Sequence, residues 1–265
     1  MNASRERKDK EHKENEDLGL VEIQEEKDKE KKELTPFDLN YPLLREFREK
    51  APGSFKHTQA LVAMVQNVCA AIDIDSDDMY LAAQYHDIGK MWFPEYYTEN
   101  QSESNIHDQI DPFMSYVIIT QHVSNSVLIL FQNDFPRKVI EIISQHHGTN
   151  VLQSIFEKVK DPEKADIFRY KTAKPASFEA LILMMCDNAE ATSRSIYVNQ
   201  QKRVEPAVLV MNIFNRLQMD GQFDNVSVLL GKLKKMQDAI IADVASTFQK
   251  RVAYEGDDDL VRSNK

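Results

Sequence analysis

Between Thr58 and about Ile72 the apolar residues Leu61, Val62, Val65, Val68, Cys69 and Ile72 recur at i, i+3, i+4 and i+7. That spacing predicts an amphipathic helix with one buried stripe, and it places His57 at the helix's first turn. Folded structure is predicted to begin near Leu39-Asn40-Tyr41-Pro42, where Leu44 and Phe47 mark a short helix closed by a turn at Ala51-Pro52-Gly53. Ser76, followed by Asp77 and Asp78, reads as an N-cap with an acidic first turn. The helix it opens carries Met79, Leu81, Ala82 and Tyr85 up to His86-Asp87, with Gly89 as its terminus. Residues 91–111 have no period and predict a long loop, a common form for a functional lid. Pro112 starts a helix to about Gln132 with His122 in its middle. Pro136 and Gly148 bracket another, with Pro136 at its first position and His146 and His147 in its last turn. Further helices are predicted over residues 151–159, 177–198, 205–219 and 226–252, with a second long loop at 161–175 and a turn at Asp220-Gly221.

Every periodic segment is helical and Gly and Pro are sparse, so the fold class is all-α, a helical bundle in one domain of the 265-residue chain. Residues 1–35 are a charged leader with too little apolar surface to bury, 36–254 form the domain, and 255–265 are an acidic, frayed tail. A net charge of −10 excludes a broad basic surface, and with it DNA or RNA polymer as a partner. A small nucleotide stays open, because divalent metals make a cleft locally positive. Only Cys69 and Cys186 are present, both within apolar runs, which points to buried thiols in a reducing cytoplasm. No charge-free run of about 18 apolar residues is read, so no membrane span is expected.

Six of the seven histidines lie between His57 and His147. Asp87, between Tyr85-His86 and Ile88, and Asp187, directly after an apolar helical run, are each costly to bury unless paired or metal-bound. Imidazole with carboxylate suits Zn²⁺, Mn²⁺ and non-haem iron. Five histidines and two aspartates exceed the four ligands of a structural zinc site and fit a binuclear centre with open positions, a device for displacement at phosphorus.

The order His57, His86-Asp87, His122, His146-His147, Asp187 resembles the HD superfamily of metal-dependent phosphohydrolases. Ala51-Pro52-Gly53-Ser54-Phe55-Lys56-His57, Tyr85 to Lys90, Glu99-Asn100-Gln101, Gln145-His146-His147-Gly148-Thr149 and Phe168-Arg169-Tyr170 are similar to the cytoplasmic HD domain of the seven-transmembrane-HD cyclic di-AMP phosphodiesterases, over about Leu39 to Tyr254. The resemblance implies an HD helical bundle that hydrolyses cyclic di-AMP to linear pApA through two divalent metals, Fe or Mn, and a bridging hydroxide. It implies that His57, His86, Asp87 and Asp187 hold one metal, and that Asp87 bridges to a second held by His122, His146 and His147. Asp87 and Lys90 are the implied catalytic pair, Lys90 facing phosphate. Two motifs depart from these relatives: Lys171-Thr172-Ala173 replaces an expected Pro-Gly, and no membrane portion precedes the domain in this chain. A stand-alone cytoplasmic member and the cytoplasmic part of a membrane protein therefore both stay open. Gly148-Thr149-Asn150 lacks the Gly-Tyr-Pro signature of the cyclic di-GMP branch.

Other residues carry two readings each. His107 touches substrate or anchors its loop; Arg169 and Tyr170 contact base or phosphate or pack the loop. Glu190 and Arg194, on the helix face of Asp187, support that carboxylate or reach phosphate. Trp92, Tyr96 and Tyr97 stack on a base or belong to the core. Another nucleotide as substrate (cyclic di-GMP, an alarmone or a deoxynucleotide) and a catalytically silent nucleotide sensor are the competing functions.

Overall fold

The computed structural model describes residues 33–101, 104–159, 161–200 and 203–262. The chain divides into two compact units, residues 1–41 and 42–265. In the first, Thr35 donates from its backbone N and its hydroxyl to Asp38 Oδ2, each at 2.9 Å. The predicted leader up to residue 32 lies outside the described residues.

The second unit contains α1 (Pro42–Lys50), α2 (Pro52–Ile72), α3 (Asp77–Tyr85), α4 (Pro112–Gln132), α5 (Arg137–Ser144), α6 (Gln153–Val159), α7 (Phe178–Arg194), α8 (Pro206–Met219) and α9 (Leu230–Arg262). Among the described residues the only β-pairing is an isolated antiparallel bridge between Val151 and Arg169. The all-α class is borne out. At the centre stands α7, buried continuously from Ala180 to Asp187, as a helix apolar on all sides must be. It packs against α2, α5, α8 and α9, and α2 in turn packs on α1, α3 and α9.

Several boundaries differ from those the periodicity predicts. Ala51-Pro52-Gly53 opens α2 rather than closing α1, because proline lacks only an N–H that the first helical turn leaves unpaired anyway. His57 therefore sits in the second turn. Ser76 makes no side-chain cap; the Asp75 carboxylate accepts from Asp77 N instead, at 3.1 Å. Pro136 precedes the first residue of α5, and His146 and His147 lie just past its last residue, in a tightened turn where His146 N donates to Ile143 O. Gly148 then takes φ +53°, the left-handed conformation that glycine adopts without strain. The first half of the second long loop is a 3₁₀ helix, Pro162–Phe168. The backbone of α9 stays helical to Arg262, through most of the tail expected to fray.

α4 corrects the expectation that nothing here is long and apolar enough to cross a membrane. Within its 21 residues an 18-residue window reaches a mean hydropathy of 1.3. The reason is its place in the bundle, where it packs on α5, α6 and the turn after α3 and buries His122, Val123, Ser126, Ile129 and Leu130. Charge is excluded from that side by packing.

Gly89 is likewise not a left-handed helix terminus. It lies in a 3₁₀ turn, Ile88–Trp92, where a Cβ would stand 2.2 Å from His122 O and 2.5 Å from Ser126 N. Ser126 Oγ fastens the same contact, accepting from Gly89 N at 2.9 Å and donating to His86 O at 2.8 Å. Gly89→Ala is expected to lower the unfolding free energy by about 1–3 kcal/mol, as overpacking does. Gly231→Ala, whose Cβ meets nothing within 4 Å, serves as the control; equal urea midpoints for the two variants would contradict the close-approach role.

Candidate metal centre

Five elements deliver the seven predicted ligands to one point. His57 comes from α2, His86 and Asp87 from the end of α3, His122 from α4, His146 and His147 from the turn after α5, and Asp187 from α7. Their donor atoms form two trios, His57-His86-Asp187 and His122-His146-His147, with the atoms of each within 4.8 Å of one another. Asp87 lies between the trios. Its Oδ2 is 3.1 Å from His86 Nε2 and 3.8 Å from His57 Nε2, while its Oδ1 is 3.4 Å from His122 Nε2. Asp187 also faces both ways, Oδ1 at 3.0 Å from His57 Nε2 and Oδ2 at 3.8 Å from His147 Nδ1.

Hydrogen bonds fix the imidazole tautomers. His86, His122 and His146 each direct Nδ1 at a backbone carbonyl three residues back, at 2.9, 2.6 and 2.6 Å. A carbonyl only accepts, so each Nδ1 carries a proton and each Nε2 is the nitrogen left to face the centre. His57 differs in being backed by a carboxylate, its Nδ1 donating to Glu190 Oε2. His147 has neither backing; its ring lies against Tyr170, with centroids 4.3 Å apart.

Electrostatics agree with this arrangement. Burial, together with the neighbouring imidazoles, pushes His146 down to about 3 and lowers His147 and His122 as well, so that trio is neutral. Burial alone would also lower His57, but its hydrogen bonds to Asp187 and Glu190 outweigh that and carry it up to about 10. A cation arriving there displaces a proton. Burial disfavours the Asp87 carboxylate, yet His86 and Lys90 beside it hold it well below the usual carboxylate range.

Residue types and orphaned atoms both fit metal ions. His86 Nε2, His146 Nε2 and Asp87 Oδ1 are buried without a hydrogen-bond partner, a costly condition for three groups in one place. Two divalent cations, one at each trio with Asp87 between them, would satisfy all three. No thiolate takes part, since Cys69 and Cys186 are free and buried elsewhere.

Lys90 is held rather than free. Its Nζ is 2.8 Å from both Asp87 Oδ2 and Glu99 Oε1, above the Tyr97 ring. Glu99, driven down to about 2 by Lys90 against the opposing effect of its burial, also accepts from Ser54 Oγ at 2.8 Å. Next to it, Asn100 Oδ1 accepts from Gly53 N and Ser54 N at 2.8 and 3.1 Å, capping α2 from 46 residues away. The loop predicted as a lid is thus clasped to the site by its Glu99-Asn100 pair. No local spacing signals such a pairing.

The weaker candidates divide. Arg169 is committed elsewhere, with Nε on Asp166 and a two-pronged pair to Asp220, and it lines neither cavity at the centre. His107 anchors the loop through Nε2 to Tyr96 O at 2.6 Å and also lines the metal-facing cavity. Tyr170 and Arg194 line that cavity too. Arg194 pairs with Glu190 at 3.3 Å. Glu190 therefore supports His57 rather than Asp187, a partnership invisible until α2 and α7 pack together. Trp92 is exposed, Tyr97 is buried against His122, and Tyr96 lines the cavity.

Glu190→Gln keeps an acceptor but removes the charge behind His57. It is expected to weaken metal retention roughly 10- to 100-fold, the range for groups that orient metal-bound histidine. Metal content after dialysis against graded chelator measures this, and wild-type retention of both metals would contradict it.

Similarity to known proteins follows this geometry. The HD domain profile matches residues 54–192. The chain is 32% identical over 219 residues to a cyclic-di-AMP phosphodiesterase PgpH of Bacillus subtilis, and 33% identical over 226 residues to one of Listeria monocytogenes. Those alignments cover 81% and 83% of this chain but 30% and 31% of the relatives, so the chain spans about a third of their length. The crystal structure of the L. monocytogenes PgpH HD domain superposes with a TM-score of 0.72 at 30% identity, covering 79% of this chain and all of that one. The same domain in complex with cyclic-di-AMP also gives 0.72 at 30% identity, over 78% of this chain and 97% of that one. By its profile match, its helical fold and its ordered His-Asp ligands, the chain belongs to the HD domain family.

Proposed function

We propose that this chain hydrolyses cyclic di-AMP to linear pApA at a two-metal centre in the cytoplasm, with iron or manganese as the metals. The observation that carries the reading is the pair of ligand trios with Asp87 between them, its two oxygens turned to opposite sides. The names of the curated relatives and the cyclic-di-AMP complex of the L. monocytogenes domain support the substrate. The nitrogen and oxygen donor set supports Fe or Mn, and two free buried thiols support a reducing compartment.

In this reading His57, His86 and Asp187 would hold one metal and His122, His146 and His147 the other, with Asp87 within reach of both. Bound divalent metals supply Lewis acidity at phosphorus and acidify water near neutral pH. The chain's own groups do the rest. Asp87, kept ionised by His86 and Lys90, fixes the spacing between the trios. Lys90, held by Asp87 and Glu99 at the edge of a 350 Å³ cavity, places a permanent cation where phosphate enters. His107, Tyr170 and Arg194 line the same cavity as substrate contacts, whereas Arg169 braces the loop behind it. Water adds to phosphorus, one P–O3′ bond breaks, and a 5′-phosphate with a free 3′-hydroxyl results.

Turnover of a nucleotide panel (cyclic di-AMP, cyclic di-GMP, an alarmone and a deoxynucleoside triphosphate) tests this, with His86→Ala and chelated protein as controls. Cyclic di-AMP is expected to be cut to pApA fastest, and both controls to fall to background. Faster cleavage of cyclic di-GMP overturns the substrate. Tight cyclic di-AMP binding without turnover by metal-loaded protein overturns the enzyme in favour of a sensing module.

A further inference from the structure

Packing explains why the inner side of α4 carries no charge, but the outer side is uncharged as well. No Asp, Glu, Lys or Arg occurs from Pro112 to Gln132. At about 100° per residue the buried residues of α4, among them Ser115, His122, Ser126 and Ile129, occupy one arc of the helix. Directly opposite runs a second stripe, Met114, Val117, Gln121, Ser124, Leu128 and Phe131. Phe131 is 72% exposed, Met114 51% and Leu128 45%; Gln121 and Ser124 are exposed too, and Val117 is half-buried. A solvated helix face ordinarily carries charge.

The stripe has an order as well as a composition. Its members follow one another by steps of 3, 4, 3, 4 and 3 residues, the alternation that keeps a seam of one helix turned toward another. It also reads alike from both ends. Bulky Met114 and Phe131 lie outermost, aliphatic Val117 and Leu128 come next, and uncharged polar Gln121 and Ser124 stand in the middle. Laid antiparallel on an identical helix, the stripe sets Met114 on Phe131, Val117 on Leu128 and Gln121 on Ser124. The amide and the hydroxyl are then each other's hydrogen-bond partners.

We propose that the outer face of α4 is a two-fold interface on which a second copy of this chain docks, with the two helices antiparallel. A two-fold contact needs a self-complementary patch, and this stripe is one. A lipid surface is a poorer match, because helices that lie on membranes carry Lys and Arg beside the apolar face and α4 has neither. From Met114 to Phe131 the strip is about 25 Å long and about 10 Å wide, a few hundred Å² of each copy. Stable complexes bury about 800 Å² per partner, so this contact belongs to the weak, concentration-dependent class. His122 lies on the inner side of the same helix. The two copies therefore meet back to back through helices that each carry a candidate metal ligand.

Sedimentation equilibrium of the full chain from about 1 μM to about 1 mM reads the association directly. Wild type is expected to move from monomer toward dimer mass over that range. Leu128→Glu and Phe131→Glu, both at exposed positions, are expected to associate roughly tenfold more weakly or not at all. Thermal unfolding checks that each variant is folded. Orientation is read by mixing Met114→Cys and Phe131→Cys chains, tagged to differ in size, under oxidised glutathione; the native Cys69 and Cys186 are buried. The mixed disulfide is expected to dominate, because each introduced cysteine faces the other position in an antiparallel seam and lies far from its own copy. Wild type that stays monomeric throughout, a dimer that survives both glutamate substitutions, or equal crosslinking of each cysteine variant with itself overturns the interface. Monomer that binds phosphatidylglycerol vesicles, and loses them with Phe131→Glu, assigns the face to lipid and overturns it too.

Discussion

A carboxylate buried at the meeting point of five chain segments is the constraint on which the rest of this fold depends. Asp87 is 2% exposed, and moving such a group out of water costs several kcal/mol unless charge and hydrogen bonds surround it. The bundle meets that cost at Oδ2, where Lys90 stands, and leaves Oδ1 without a hydrogen-bond partner. Lys90 supplies a full positive charge, His86 and His122 present ring nitrogens, and Ser126 and Gly89 bring α4 close enough for His122 to reach. Cations between the trios would complete what packing alone leaves open.

The second tier exists to keep that solution rigid. Lys90 holds Asp87, Glu99 holds Lys90, Ser54 holds Glu99, and Asn100 caps the helix that carries His57. The chain of contacts closes on itself, since α2 starts at the cap and presents His57 in its second turn. Groups that fix the orientation of metal ligands matter nearly as much as the ligands, and here they lie on a loop without regular periodicity. Its function is expressed through what it grips.

The two halves of the centre are supported unequally. His57 is backed by the Glu190 carboxylate and His86 by a backbone carbonyl, while His147 relies on ring contact with Tyr170. Carboxylate backing raises the basicity of an imidazole ligand, so the trio next to Glu190 has the stronger donors. The less supported His147 faces both cavities. It is also the more exposed of the two, its side chain 19% accessible against 2% for His57.

Much of this was legible in the amino-acid order. Helical spacing gave the class and most helices, because a buried stripe must recur with the helical turn. The ligand types and their order gave the family, because metal chemistry admits few side chains. Boundaries at Pro52, Pro136 and Gly89 do not follow from local rules, since proline and glycine break a helix in one context and start or tighten it in another. α4 is a 21-residue run without a charged side chain, a pattern that a buried helix and a membrane span share. What no local pattern could supply were the long-range partners: Glu190 with His57 across 133 residues, Asn100 with the start of α2 across 46 and 47, and Arg169 with Asp220 across 51. Sequence by itself determined which groups are costly to bury; only the tertiary structure decided which neighbour satisfies each, because hydrogen bonds and charges act over a few ångströms of space, whatever the distance along the chain.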